Sequence, residues 1–397
     1  MRVRILAASA LVAASPAFAA DTPSPEELWR IIQAQSREIE ALKARLAASE
    51  SQIQETRVIA ASAVDAVEAQ QTGAVAGWAD RTTLGGYGEH HYNNFEAGDD
   101  QVDAHRFVLF LGHQFDDSVR FFSELEVEHG LTKDTADGSG PGEVELEQAY
   151  IRWDFAERHA LVMGQFLVPV GILNETHEPD TFYGTERNRI ESNIIPTTWW
   201  ETGVMLTGEL LPGLSYDAAL HSGLKTAEGG AVRGGRQKSA KAVANDPAYT
   251  VRLKYTGLPG LELAATAQYQ SDLTQGRAGE DADGTLLEAH AILSRGPFAL
   301  RALWASWEID GAGFAATGRD EQRGWFLEPS YKPLEQLGFF VRYGEYDNEA
   351  GLSSSQATQV WDYGLNWWLH PRVVVKADVS DVEDGNDSLN LGLGWSF

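Results

Sequence analysis

The sequence predicts an all-β protein, a sixteen-stranded antiparallel transmembrane β-barrel preceded by an N-terminal α-helical coiled coil. Three observations carry that prediction. The chain ends on a perfect alternation: Leu389, Leu391, Leu393, Trp395 and Phe397 share one face of a strand, against Ser388, Asn390, Gly392, Gly394 and Ser396. An apolar face opposed to small polar residues suits a strand between lipid and water. Segments of that length recur along the chain, joined by connections that are alternately short and long. No stretch approaches the ~18 consecutive apolar residues of a transmembrane helix, so any crossing is made by strands.

Taken in order, the chain opens with an export signal over residues 1–20. Arg2 and Arg4 precede the apolar run Ile5 to Ala14, and Ala17-Phe18-Ala19 supplies the small-residue cleavage pattern. Residues 21–80 read as a periplasmic coiled coil and Ala-rich linker. Ile32, Ile39, Leu46, Ile53, Ala60 and Val67 hold one seam position, and Leu28, Gln35, Leu42, Ser49, Thr56 and Ala63 the other. A helix from Leu28 to Val67 is on the order of 60 Å long.

Residues 81–397 form the barrel domain. The expected strands are Thr83 to Phe95, His105 to Phe115, Ser118 to His129, Val144 to Phe155, His159 to Val168, Trp200 to Leu210, Leu214 to Gly223 and Ala248 to Thr256. Leu261 to Gln270, Thr285 to Ser294, Phe298 to Ile309, Arg323 to Lys332, Phe339 to Asp347, Gln359 to Leu369, Arg372 to Asp381 and Ser388 to Phe397 complete the set. Tight turns such as Pro212-Gly213, Pro259-Gly260 and His370-Pro371 lie on one rim, and the long connections on the other. An up-and-down barrel requires that asymmetry, whereas a soluble sandwich does not. An even strand count returns the C-terminus to the periplasmic rim and closes the last strand on the first.

Charges cannot line the lipid face cheaply, because Arg or Lys at mid-membrane costs about 2–4 kcal/mol. The alternation therefore assigns Arg120, Glu124, Glu126, Arg152, Asp154, Arg252, Lys254, Arg342, Arg372, Lys376 and Asp378 to a watery lumen. The longest connection, Pro169 to Trp199, is the third external loop. It carries Glu175, His177, Glu178, Asp180, Glu186, Arg187, Arg189 and Glu191. Folded into the lumen, acids and bases so placed would form a constriction with a transverse field; folded outward, they would form a lid.

At this loop the sequence resembles the phosphate-selective porin O and P family. Gly164 to Ile172 reads G-Q-F-L-V-P-V-G-I, Thr185 to Asn188 reads T-E-R-N, and Trp199 to Val204 reads W-W-E-T-G-V. The resemblance implies a trimeric sixteen-stranded channel whose third loop narrows the pore, with Arg187 standing at the family's loop arginine. It also implies phosphate selectivity through an arginine ladder and pore lysines. Here lysines are few and the lumen strands carry more acids than bases, so the residues themselves point to a weak cation preference.

Composition narrows the partners. The net charge of −27 repels nucleic acid, so none is expected. Small hydrophilic solutes, outer-membrane lipids and lipopolysaccharide are the expected partners, in the bacterial outer membrane, and the family resemblance adds a homotrimer. The absence of cysteine suits an oxidising compartment. His90, His91, His105, His113 and His129 fall on the first three strands, but alternation sends His90 and His91 to opposite faces, so no shared metal site is expected. The acidic stretches Gly279 to Asp283 and Asp381 to Asp387 offer oxygen ligands for a loop-bound Ca2+ or Mg2+; no other cofactor is expected. In the fourth external loop Lys225, Arg233, Arg236, Lys238 and Lys241 would gather anions or pair with acids. No Ser/His/acid arrangement suggests an enzyme. The competing reading is an envelope tether acting through the coiled coil.

Overall fold

The computed structural model describes residues 77–130, 142–277, 279, 281–383 and 385–397. The expected export signal, the coiled coil, Glu280 and Asp384 lie outside the described residues. A single turn of 3-10 helix, Trp78–Arg81, leads into the first strand.

Sixteen strands follow. They are β1 (Thr82–Phe95), β2 (Gln101–Gln114), β3 (Val119–Glu128), β4 (Val144–Ala156), β5 (His159–Leu167), β6 (Trp200–Leu211), β7 (Leu214–His221) and β8 (Ala248–Leu258). The second half comprises β9 (Leu261–Gln270), β10 (Asp283–Arg295), β11 (Phe298–Asp310), β12 (Glu321–Leu334), β13 (Leu337–Asp347), β14 (Thr358–His370), β15 (Val373–Val382) and β16 (Ser388–Ser396). Each pairs antiparallel with its chain neighbours. The sheet closes where β1 meets β16, in register from Tyr87 opposite Ser396 to Phe95 opposite Ser388. Closure leaves no unpaired sheet edge, the condition for strands in lipid.

The two faces follow the alternation. Leu389, Leu391 and Leu393 of β16 are exposed on the outside, while Asn390 is buried within. Phe155, Phe298 and Phe397, each beside a short turn or the chain end, are exposed on the outer surface, as an interfacial aromatic girdle requires.

One sector of the interior departs from a water-filled lumen. On β10, β11 and β12 the inward side chains include Leu286, Leu303, Trp307 and Phe326, all buried. They pack with Ile190, Ile194 and Ile195 of the third loop, Leu224 and Leu273 of the next two, and Phe314 of helix α2 (Ala312–Thr317) in the sixth. Those three strands thus carry apolar side chains on both faces where they meet the loop cluster, although Glu288, His290, Arg301 and Glu328 also point inward. The loop cluster is a dry core inside the barrel, and it leaves the polar space to the side of β1–β4 and β14–β16.

Candidate channel constriction

The third loop leaves β5 at Val168 and returns at Trp199, where the Val168 amide donates to the Trp199 carbonyl at 2.9 Å. Asn174 ties the two stems together: its amide donates to the carbonyls of Val168 (2.7 Å) and Trp199 (2.9 Å), and its oxygen accepts from the Trp199 amide (2.7 Å). Within the loop a five-residue helix, α1 (Arg189–Asn193), begins at Asn188, whose side chain accepts from the Glu191 amide at 2.8 Å. Glu191 turns back to accept from the amides of Ile172 and Leu173, both at 2.7 Å, and from the Asn188 side chain. Asn188 is thus the N-cap of the helix, and its side chain also donates to Glu191. The structure accordingly places Glu191 in the loop's own core, with its charge spent on loop amides.

Between the stems the loop crosses the barrel. Four consecutive backbone carbonyls are held by the opposite wall: Thr181 by Arg301 (2.9 Å), Phe182 by Asn366 (2.9 Å), Tyr183 by Arg342 (2.8 Å) and Gly184 by Lys376 (2.8 Å). Lys376 also lies 3.6 Å above the Phe182 ring, a cation–π contact. The next amide, of Thr185, donates to Asp378 at 2.6 Å. On the near wall Arg106 donates to the His177 carbonyl at 2.9 Å, and Asp180 accepts from Ser396 at 2.9 Å. The loop is therefore a bar inside the barrel, not a lid above it.

Most of the wall charges assigned from sequence are paired. Arg342 bridges Glu328 (2.6 Å) and Asp362 (2.9 Å), and Arg252 bridges Asp217 (2.7 Å) and Glu175 of the loop. Arg120 and Arg152 share Asp154, at 3.0 and 2.9 Å. Glu126 stands 3.8 Å from Arg106, and Glu124 accepts from Gln148 at 2.6 Å. Lys254 and Glu178 line a second cavity of about 500 Å3, and Arg372 stands exposed in the turn before β15.

His177 anchors the near side. Its Nε2 lies 3.3 Å from Glu147 and 3.6 Å from Glu124, meeting them as charges off the hydrogen-bond line. Burial works to lower its basicity, but the two carboxylates prevail and push it up to about 10. Glu186, at the loop tip, accepts from His91 and Asn93, each at 3.0 Å. Crowding by the walls works to raise its carboxyl, yet nearly half of that side chain faces solvent, and the His91 bond holds it at about 2.

Beside the tip opens a cavity of about 590 Å3. Arg187 and Arg189 line it from the loop, and among the described residues neither has an ion-pair partner. Arg233 and Arg236 of the fourth loop join them, donating to carbonyls: Arg233 to Ser192 (2.8 Å) and Thr197 (2.7 Å), Arg236 to Thr198 (2.6 Å). Carbonyls do not cancel their charge. Burial first, then mutual repulsion, lowers Arg233 to about 10 and depresses Arg236, while burial and Arg106 depress Arg187. Facing these cations are Asp103, Glu128 and Glu143, on and beside β2, β3 and β4. Lys238 crosses to pair with Glu143 at 2.6 Å and with Glu145.

Arg106, Arg301 and Asn366 were not distinguished by sequence reasoning. Arg106 shares the inward parity of Val108, and a β-bulge follows on its N-terminal side: Glu89 pairs with Arg106 but His91 with Asp103, so β2 carries one extra residue there. The bulge brings both His105 and Arg106 to the lumen wall, against simple alternation. His90 does face outward, against Trp395, and His91 inward, as expected.

Comparison with known proteins agrees with the barrel fold. A family model described as Gram-negative porin matches residues 204–387. A protein of Aquifex aeolicus (strain VF5), described as uncharacterized, is 30% identical over 364 residues, covering 79% of this chain and 80% of that one. Among solved structures, the anion-selective porin from Comamonas acidovorans is 14% identical, with a TM-score of 0.56 over 80% of this chain and 99% of that one. Salmonella typhi OmpF in complex with daunomycin gives 14%, 0.56, 80% and 97%. The trimer form of in-vitro-folded OmpT from Vibrio cholerae gives 10%, 0.54, 80% and 98%.

Proposed function

We propose, on the premise that this chain belongs to the Gram-negative porin family, that its third loop selects which solutes pass. The protein is a channel of the bacterial outer membrane for passive diffusion, and it is not an enzyme. The loop sets the size limit, because it bars the lumen while the dry core closes the β10–β12 sector. The selected solutes are small, hydrophilic and dipolar.

The observation that carries this reading is the division of charge across the 590 Å3 cavity. Eight carboxylates and seven Lys or Arg side chains line it, Arg187, Arg189, Arg233 and Arg236 coming from the third and fourth loops and Asp103, Glu128, Glu143 and Glu145 from the β2–β4 wall. Opposed charges across a narrow gap make a transverse field that orients a solute with separated charges as it enters. The slight acid excess leaves a weak preference for cations. A second reading, phosphate-type anion selectivity, is favoured by one observation: Arg187, Arg233 and Arg236 line the same cavity, close enough that Arg187 depresses the other two. Assembly as a homotrimer belongs to the proposal, and its support is the trimer form of one structural neighbour.

Planar-bilayer recording tests both readings. Purified protein should give stepwise conductance, with a small zero-current potential of cation sign in a salt gradient. Arg187→Glu should move that potential further toward cations. An absence of steps would contradict selection by an open channel, and a strong anion potential in phosphate would replace the first reading by the second.

A further inference from the structure

The wall facing the loop arginines carries three side chains that no ion pair of the constriction uses. Asp103, His105 and His129 converge there. The Oδ2 atom of Asp103 accepts from His105 Nδ1 at 3.0 Å and from His129 Nδ1 at 2.8 Å. We propose that these residues form a binding site for one borderline divalent transition ion, of which Zn2+ is the representative, on the wall of the channel.

The backbone builds this convergence. The bulge in β2 turns His105 inward with Asp103, where alternation alone would set it outward with Phe107. His129 follows β3 with a left-handed backbone, φ 52°, and Gly130 continues at φ 60°. That conformation is unfavourable for a residue with a Cβ, and here the His129 amide donates to the His105 carbonyl at 2.9 Å. The His129 ring meets the His105 ring edge-on, with centroids 5.6 Å apart. His91, itself held by Glu89 and Glu186, stacks on the other face of His105 at 4.3 Å and 15°, which fixes that ring's plane.

The donor set is specific in kind. Two imidazoles with one carboxylate suit zinc and its neighbours in the first transition row, whereas Ca2+ and Mg2+ require oxygen ligands. The separations also fit. Bonds of about 2.0–2.1 Å in a tetrahedron put ligand atoms roughly 3.3 Å apart, so an ion replaces the two hydrogen bonds after the groups part by only a few tenths of an ångström. In a neutral ring the proton moves from Nδ1 to Nε2, and the freed Nδ1 lone pair is offered to the ion. Three protein ligands leave the fourth position to water. The site opens to the cavity: the three side chains are between 23% and 40% exposed.

Access by ions from solution rests on the channel reading; the coordination itself does not. A bound dication would also neutralise acids opposite Arg187 and Arg189 and turn the cavity's balance toward anions.

The test is a Zn2+ titration of the full-length folded protein in detergent against a chromophoric chelator, with the zero-current potential read in parallel. The expected result is one equivalent per chain, weakened at least about tenfold in His105→Ala, His129→Ala and Asp103→Asn, since losing a ligand costs no less than losing its outer partner. His90→Ala, whose ring faces outward, should bind as the parent does, and Mg2+ should not compete. Zn2+ should move the potential toward anions in the parent and not in His105→Ala. Failure of the parent to bind, or binding that survives both histidine substitutions, would overturn the site. Zinc binding by a protein that shows no conductance would uphold the site while sinking the channel reading, so the two fail separately.

Discussion

Arg342 shows what a single residue does in this barrel. Its guanidinium serves Glu328, Asp362 and the Tyr183 carbonyl together, so one side chain neutralises two wall acids and holds the loop. Removing it leaves Asp362 without its cation and Glu328 with only Arg301, 3.9 Å away. Breaking a buried pair in that way costs about 3–5 kcal/mol. Arg342→Met should therefore lower the midpoint of heat denaturation markedly and make the open-channel current noisier, while Arg187→Met, which breaks no pair, should leave the midpoint within experimental scatter. Equal midpoints for the two variants would deny Arg342 its anchoring role. Residues of this kind were partly legible in the sequence. A charge in a strand of a membrane barrel must face inward, and that argument found Arg342, Arg252 and Lys376. It did not find the inward turn of His105, because a bulge changes parity without leaving a mark in the residue pattern, nor Arg106, whose strand continues Phe107 to Leu111 apolar on both faces. Nor did it foresee that Glu191 would bind the loop's own amides at Ile172 and Leu173 rather than line the pore, since an acid serves either purpose.

At the scale of the element, the third loop is held by groups that titrate on opposite sides of neutrality. His177 is raised in the folded loop, from an ordinary value of 6.5 to about 10, so its contribution is complete below pH 6.5 and fades as pH rises toward 10. Glu186 is lowered from 4.5 to about 2, so its contribution is complete above pH 4.5 and fades as pH falls toward 2. Because the Glu186 side chain is half exposed, solvent screening makes its limb the weaker. Loop docking is then tightest between about pH 4.5 and 6.5. Single-channel flicker should be lowest in that window and rise on either side, and Glu186→Gln should flatten the acid limb while leaving the alkaline one. Flicker that does not vary with pH would contradict the anchoring. The loop's length and charges were readable from sequence; its seat was not. Ile190, Ile194 and Ile195 find their partners on β10–β12, where Leu286, Leu303, Trp307 and Phe326 share the inward face with Glu288, His290, Arg301 and Glu328, so the pattern gave no sign that a dry core would form there.

The whole molecule is organised by closure. Period-two alternation and the regular exchange of short and long connections made the sixteen strands legible, and the last strand does pair with the first. What the pattern could not supply is how the interior is divided between a dry core and a polar cavity, because that division depends on which loops meet across the barrel. The account stands on the third loop lying inside. Its most direct measurement is disulfide trapping, for which the chain's lack of cysteine leaves a clean background. A Cβ placed on Gly392 of β16 would lie 3.0 Å from Thr185 Cγ2 and 3.2 Å from its Oγ1. A cysteine pair can bridge at that range, given the usual Cβ–Cβ separation of about 3.8 Å. In Thr185→Cys/Gly392→Cys the account predicts a disulfide that forms readily on mild oxidation of the folded protein, with conductance steps preserved. Two thiols that stay free and react with an added maleimide after oxidation would place the loop outside the lumen and contradict it.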